Sequence, residues 1–186
     1  MADTQHKDYH DETYDAIVCF ETYGGADKTV SKQELNEYPL QCLYKLFSTG
    51  IVQGETLIDL TVTSTTSQIL VAADYFKNVI MLESSDANVI ETESWLRNEP
   101  GALDQTHVAK FVCELKGQSE GWQKQEEKAR QAIKQVVKWD ITKENPLDDV
   151  VLPKADCLIS CWYLELVSKD PEMYVKLQKK SLPCSS

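Results

Sequence analysis

Three carboxylates stand at or just beyond the ends of short apolar runs that predict β-strands: Asp59, Glu83 and Asp140. In an open parallel sheet, ligands bind beyond the carboxyl ends of the strands, where the strand order reverses. A carboxylate only accepts hydrogen bonds and has two oxygens, so it can hold both hydroxyl groups of a ribose. Glu83 lies 24 residues after Asp59, about the offset of a ribose-binding carboxylate in such sheets. Acidic residues at strand ends are also common as solvated turn residues, and the spacing leaves both interpretations open.

The segment after Asp59 is rich in threonine and serine, over residues 61–67. A strand, a turn and a helix in this order are typical of the opening of a nucleotide-cofactor site. The turn of such a site is usually rich in glycine, which adopts positive φ and lets the backbone approach the ligand. A nucleophilic hydroxyl is not indicated, because no histidine lies nearby and the turn lacks the glycines of a nucleophile elbow. The sequence therefore predicts a cofactor-binding frame with an altered loop.

The apolar pattern predicts strands that alternate with helices, and hence an α/β chain built on a parallel sheet. The polar segment 118–128 is predicted to be an exposed excursion. Residues 126–139 fit either a helix or a strand, and a helix to about Ala132 followed by a strand is the preferred interpretation. The other predicted elements are a helical segment at 27–48 with a break near Pro39, strands at 56–60, 79–82 and 155–161, and helices at 64–76 with a hydroxyl N-cap, from Ser85 to before Pro100, at about 108–116 and from Asp170-Pro171 to 181.

Composition narrows the class of partner. The chain has 186 residues and a net charge of −11, which argues against nucleic acid and against anionic membrane surfaces. No apolar run approaches the ~20 residues of a membrane span, and the N-terminus lacks the pattern of a signal peptide. We therefore expect a cytoplasmic chain with six reduced cysteines. No metal site is expected, because Cys157 and Cys161 lack the two-residue gap typical of such sites and only three histidines are present.

Several blocks resemble the nicotinamide/indolethylamine N-methyltransferase family, from about Gln33 to Lys180. This resemblance implies a Rossmann-like class I methyltransferase fold, here incomplete, with about four parallel strands, flanking helices and an N-terminal helical cap. It divides the chain into a tail and cap at residues 1–49 and a methyltransferase domain at 50–186. It implies the cofactor S-adenosyl-L-methionine (AdoMet) and a small amine or pyridine as methyl acceptor. The blocks are residues 57–59, 93–102, 111–115, 126–132, 138–141 and 152–157.

The resemblance also assigns cofactor-binding positions. Glu83 stands where the family has the aspartate at the ribose, and Thr61 stands at a glycine position of the loop around the methionine half of AdoMet. Ser67 replaces a family tyrosine that helps to bind the cofactor. The cofactor-binding positions that the resemblance implies are Tyr23 as a closing residue, Asp59, Thr61, Glu83, and, around the adenosine, Asn88, Asp140 and Ile141. No catalytic residue is predicted.

Two departures from the family bear on function. Thr61 and Thr63 replace loop glycines, and a β-branched residue resists positive φ. The sequence also stops at residue 186, whereas the family continues with further strands, so we expect an uncovered sheet edge and self-association through it. Two functions stay open. One is an AdoMet-dependent N-methyltransferase whose activity is in doubt, and the other is a catalytically inactive, methyltransferase-like binding or interaction protein.

Overall fold

The computed structural model describes residues 36–61, 65–141 and 143–181. Within these ranges, helices and strands alternate at first, three helices then follow in succession, the next two strands have no helix between them, and two helices come last. The elements are α1 (Tyr38–Ser48), β1 (Thr56–Thr61), α2 (Ser67–Ala72), β2 (Asn78–Glu83), α3 (Asp86–Leu96), α4 (Thr106–Leu115), α5 (Trp122–Ala132), β3 (Ile133–Lys138), β4 (Cys157–Ser160), α6 (Tyr163–Val167) and α7 (Pro171–Ser181).

The four described strands form one parallel sheet in the order β3-β2-β1-β4. The chain moves outward from β1 through β2 to β3 and then returns to pair β4 with the other side of β1. The strand order therefore reverses between β1 and β4, which is where an open sheet of this kind places its ligand. β1 and β2 are buried along nearly their whole length, as expected for central strands covered on both faces. The predicted α/β fold on a parallel sheet is confirmed.

Each face of the sheet carries its own apolar core. Leu57 and Met81 point to one face, where helices α1, α2, α4 and α5 supply most of the remaining core side chains. Ile58 and Leu82 point to the other face and pack against α6, α7 and the segment after β3. This alternation is the period of two that a strand imposes on its side chains. The sheet is thus the central one of three layers.

Helix α1 packs onto the sheet layer rather than standing apart from it. Pro39 lies in its first turn, where a missing backbone N–H costs nothing. Leu40 and Phe47 are buried in the first core, and Phe47 contacts Tyr75 and Phe76 at ring-centroid distances of 5.4 Å. Residues 36–37 before this helix have π-helical geometry, so Pro39 lies where the helix changes from π to α geometry. The predicted helical residues 27–35 lie outside the described part of the chain. The division at residue 49 stays a prediction.

The prediction for residues 118–128 is wrong for its second part, although residues 118–120 are exposed and lie outside any helix or strand. The structure begins α5 at Trp122, and Gln125 and Glu126 are buried although the segment is polar. The reason is tertiary. Gln125 Nε2 donates to the Leu70 carbonyl at 2.6 Å, and Gln125 Oε1 accepts from Lys116 Nζ at 2.7 Å. A polar side chain that replaces its water contacts in this way can be buried at little cost.

Other boundaries differ by a few residues. Helix α2 is shorter than predicted, and Thr66 precedes it without capping it through its side chain. β1 and β2 run one residue further than predicted, to Thr61 and Glu83. The strand after α5 begins directly at Ile133, as predicted. Helix α6 was not predicted, because five residues give too short an apolar pattern.

The amino ends of β1 and β4 are joined by one side chain. Asp156 Oδ2 accepts hydrogen bonds from the backbone N–H groups of Glu55 and Thr56, at 2.8 and 3.0 Å. Gly54 lies against this side chain, and a Cβ at position 54 would stand 2.1 Å from the Asp156 Cβ. Position 54 therefore has no room for a side chain while the bond is in place.

No helix among the described residues has the length and apolar character to cross a membrane.

Candidate functional site

Asp59 is fully buried inside β1 and lies two residues before the end of the strand. Its register partners are Met81 on β2 and Ile159 on β4, both apolar. In the described part of the chain, neither carboxylate oxygen has a hydrogen-bond partner. Buried carboxylates normally satisfy both oxygens, because the loss of hydration is otherwise uncompensated. Asp59 is therefore not a solvated turn residue, and its oxygens fit a ligand that donates hydrogen bonds or carries positive charge.

Glu83 ends β2 and is also fully buried. Its Oε1 accepts a hydrogen bond from Thr92 Oγ1 at 2.7 Å. Its Oε2 has no partner among the described residues. Glu83 and Thr61 are register partners, so their side chains project from the same face of the sheet. The site therefore holds two buried carboxylates on adjacent strands.

Burial changes the ionisation of both acids. Desolvation raises the pKa of Asp59 to about 7. Desolvation also raises the pKa of Glu83 to about 8, the Thr92 hydrogen bond opposes this rise, and the charge of Asp59 adds to it. A buried carboxyl group whose pKa lies near neutrality at the end of a parallel strand is a functional-site candidate. Because the two groups interact, their protons are released by the pair rather than independently.

Thr61 continues β1 instead of opening a turn. It is the last residue of the strand and is almost fully buried, and its φ is not positive. The following residues, 62–64, lie outside the described part of the chain, and so does Thr63. A buried threonine side chain therefore stands at the end of β1, where the loop after the strand begins.

Asn88 lies in the first turn of α3, on the same side of the site as Glu83. Its backbone N–H donates to the Ser85 side chain at 3.1 Å, which confirms the predicted cap at Ser85. Its Nδ2 donates to Ser84 Oγ at 3.2 Å. Asn88 is fully buried. The cap at Ser85 and the hydrogen bond from the Asn88 side-chain amide to Ser84 fix this turn directly after the end of β2.

Asp140 and Ile141 follow β3 at the same edge of the sheet. The Trp139 backbone N–H donates to the Glu83 carbonyl at 2.8 Å, and this bond holds the residues after β3 beside the end of β2. The Asp140 N–H bonds the Pro146 carbonyl at 3.0 Å. Lys180 Nζ on α7 donates to the Ile141 carbonyl at 2.9 Å. The structure therefore brings the described predicted residues to one edge of the sheet, while Tyr23 lies outside the described residues.

The sequence prediction missed three residues of this region. Thr92 binds Glu83, and Gln105 Oε1 accepts from both the N–H and the hydroxyl of Thr66, at 2.9 and 3.2 Å. Trp162 follows β4 with a positive φ of 67° and is 43% exposed. Spacing could have pointed to Thr92, since Asn88, Thr92 and Trp95 share one buried face of α3. No pattern in the sequence indicates Gln105 or the backbone of Trp162.

The neighbouring thiols are poor nucleophiles. Burial raises the pKa of Cys161 to about 12, and the charge of Asp59 adds to this rise. Burial and Asp59 also raise the pKa of Cys157. The thiolate is the reactive form of cysteine, so these thiols are inert near neutral pH. Among the described residues, no cluster of histidine, cysteine and acidic side chains could hold a metal ion.

The strand order and the reversal beside β1 define a Rossmann-like α/β sheet, and with the carboxylates at the strand ends they fit a partial methyltransferase fold. The NNMT/PNMT/TEMT family profile matches residues 4–182. The chain therefore belongs to this family of AdoMet-dependent small-molecule N-methyltransferases.

Named relatives support the same assignment. The chain is 43% identical to indolethylamine N-methyltransferase of Oryctolagus cuniculus over 132 residues, which are 71% of this chain and 50% of that protein. It is 38% identical to nicotinamide N-methyltransferase of Homo sapiens over 146 residues, or 78% of this chain and 55% of that protein. It is 37% identical to phenylethanolamine N-methyltransferase of Macaca mulatta over 136 residues, which are 72% of this chain and 48% of that protein. The chain thus spans about half the length of the curated relatives that it matches.

Proposed function

We propose that this chain binds AdoMet at the carboxyl edge of β1 and β2 and belongs to an N-methyltransferase of a small amine or pyridine. The observation that carries the proposal is the pair of buried carboxylates, Asp59 and Glu83, with three oxygens that lack partners in the described chain. AdoMet carries a ribose with two vicinal hydroxyls, an ammonium group and a sulfonium group. Hydroxyl donors and positive charge are the two features that such oxygens require.

Each residue has a separate part in this proposal. Glu83 would accept from the ribose hydroxyls, and Asp59 would balance the positive charge of the cofactor. Asn88, Asp140 and Ile141 would line the adenosine side. The bound cofactor supplies an electrophilic methyl group, and the chain contributes alignment of the acceptor nitrogen and exclusion of water. The proposed compartment is the cytoplasm.

A second function is favoured by one specific observation, the buried side chain of Thr61. A β-branched residue that continues β1 takes space where the family lets backbone approach the methionine half of AdoMet. A chain of this kind would keep the adenosine side of the site and lose alignment of the methyl group. It would then act as a binding or interaction protein on a methyltransferase scaffold.

Calorimetry at pH 8.5 with AdoMet, S-adenosylhomocysteine and adenosine tests the cofactor site. We expect weak binding, with adenosine and S-adenosylhomocysteine close in affinity because the adenosine side dominates. Glu83→Ala should weaken binding by on the order of 1–3 kcal/mol, since ribose hydroxyls lose a charged acceptor. Glu99→Ala is the matched control, because it removes an exposed carboxylate that pairs with Arg97 instead.

Transfer of a labelled methyl group to primary amines and pyridines separates the two functions. Binding with transfer supports the N-methyltransferase, and binding without transfer supports the inactive binding protein. Absence of binding by all three ligands, or equal losses in Glu83→Ala and Glu99→Ala, overturns the proposed site.

A further inference from the structure

One hydrogen bond inside the candidate site joins β2 to α3, between two residues that are nine positions apart in the sequence. Thr92 Oγ1 on α3 donates to Glu83 Oε1 at the end of β2, at a distance of 2.7 Å. Both residues are 0% exposed. A hydroxyl that donates to a carboxylate at this distance makes a short, charge-assisted bond, which is stronger than a bond between neutral groups.

The bond fixes the orientation of the Glu83 carboxylate. A glutamate side chain has three rotatable bonds before its oxygens, so an unheld carboxylate samples several orientations. Thr92 holds Oε1 and leaves Oε2, which has no partner among the described residues. Thr92 is itself held, because it lies between Asn88 and Trp95 on the buried face of α3.

We propose that Thr92 is a positioning residue: its hydroxyl orients Glu83 so that Oε2 accepts from a ligand that carries vicinal hydroxyl groups. The proposal rests on the proposed function, since it concerns the same edge of the sheet. Thr92 does not itself contact the ligand, and it acts through Glu83 alone. A serine can make the same bond, whereas a valine of nearly the same shape cannot.

The bond also bears on the charge of Glu83. Burial raises the pKa of Glu83, the hydroxyl of Thr92 lowers it, and Asp59 on β1 raises it. On β3, the residue in register with Glu83 is Lys138, and its Nζ pairs with Asp86 of α3 at 2.6 Å. The other charged residues of α3 and β3 bond elsewhere: Glu91 accepts from the Leu103 N–H, Glu93 pairs with Arg97, and Lys134 donates to the Gln131 carbonyl. Removal of the Thr92 hydroxyl should therefore leave Glu83 protonated to a higher pH.

The test compares Thr92→Val with Thr92→Ser in the full chain. Calorimetry with S-adenosylhomocysteine at a series of pH values gives the dissociation constant and the midpoint of its pH dependence. We expect Thr92→Val to raise the dissociation constant by about 10-fold at pH 9, where Glu83 is ionised, which is the scale of a hydrogen bond to a charged group, and to move the midpoint upward. Thr92→Ser should restore both quantities. Thr49→Val is the control, because its hydroxyl bonds the Leu46 carbonyl at the end of α1.

A ligand-free measurement separates this inference from the proposed function. The carboxyl carbon of Glu83, followed by NMR through a pH titration, reports the bond without any cofactor. If the wild-type chain binds no S-adenosylhomocysteine, the proposed function fails and the titration decides on Thr92. The positioning role is supported if the pKa of Glu83 shifts upward in Thr92→Val and does not shift in Thr92→Ser or Thr49→Val. Equal titrations in all four chains overturn it, whatever the binding result.

Discussion

Thr61 and Glu83 stand side by side as the last residues of β1 and β2, and Asp59 lies two residues further back on β1. A strand advances about 3.3 Å per residue, so the Cα atoms of Asp59 and Glu83 are offset by about 7 Å along the strands. Thr61 thus lies next to Glu83 and two residues beyond Asp59, on the same face of the sheet as both acids. This relationship makes the loop after β1 the first target for mutation.

The double change Thr61→Gly with Thr63→Gly should tighten AdoMet binding. Glycine removes the buried β-branched side chain at position 61 and permits positive φ in the turn. Titration calorimetry of AdoMet measures the effect. Thr61→Val is the control, because it keeps the branch and removes the hydroxyl, and it should not tighten binding. Low-micromolar binding by the wild-type chain without improvement in the double variant would contradict this interpretation of the loop.

The stability of the ligand-free chain should fall as pH rises from about 4 to about 8. Burial raises the pKa of Asp59 from 3.8 to about 7 and that of Glu83 from 4.5 to about 8. Between these limits the folded chain holds more protons than the unfolded chain, so each step up in pH favours unfolding. The contribution is full below pH 4 and is lost as pH passes through the folded-state values. Urea denaturation at pH 5, 7 and 9 measures the trend.

Ligand binding should show the opposite dependence. A cofactor that donates hydrogen bonds and carries positive charge requires ionised acids, so its affinity should increase from pH 6 to pH 9. A binding constant that stays level over this range would show that the buried acids are not the ligand's partners.

Asp59→Asn should stabilise the ligand-free chain and weaken AdoMet binding. At pH 8 the buried Asp59 is charged without a partner among the described residues, and a neutral amide of equal size removes that cost. The expected gain in unfolding free energy is on the order of 1–3 kcal/mol at pH 8 and small at pH 5. Urea denaturation of one preparation measures the change in stability, and calorimetry of the same preparation measures the change in AdoMet affinity. A variant that is less stable at pH 8 than the wild type would refute the assignment of an unpaired charge.

Self-association should occur through the β4 edge. Among the described residues, β4 pairs only with β1, and its open side presents unpaired backbone groups. Trp162 and Leu166, which follow β4, are exposed. Leu166→Lys should lower the apparent mass in sedimentation velocity, whereas Ile90→Lys, which changes an exposed position on α3, should not. A wild-type monomer that melts cooperatively above ~60 °C, a high value for mesophile domains, would contradict this prediction.

The strands were predictable from the sequence because β1, β2 and β4 read as short apolar runs and β3 follows a helix. The polar helix α5 was not, because Gln125 is buried through bonds to Leu70 and Lys116 that no local pattern reveals. The same limit applies to Thr66. Its hydroxyl suits an N-cap, but Gln105, which lies 39 residues later, takes it instead.

The candidate site was predicted in part for a similar reason. Strand ends place Asp59 and Glu83 at one edge, and that placement follows from topology alone. Whether an acid is solvated or buried depends on the helices above it, and here both acids are fully buried. The bond from Thr92 depends on the rotation of α3 about its axis, which the sequence constrains only through the spacing of its buried residues.

The Asp156 bond ties β4 to residues that are 100 and 101 positions earlier in the chain. A ribosome adds about 5–20 residues per second, so β1 emerges roughly 5–20 s before its β4 partner has been made. During that interval β2 can pair with one side of β1 while the other side remains open to neighbouring nascent chains. The long-range arrangement that places the ligand site beside β1 therefore also leaves one side of β1 without its partner strand for several seconds of synthesis.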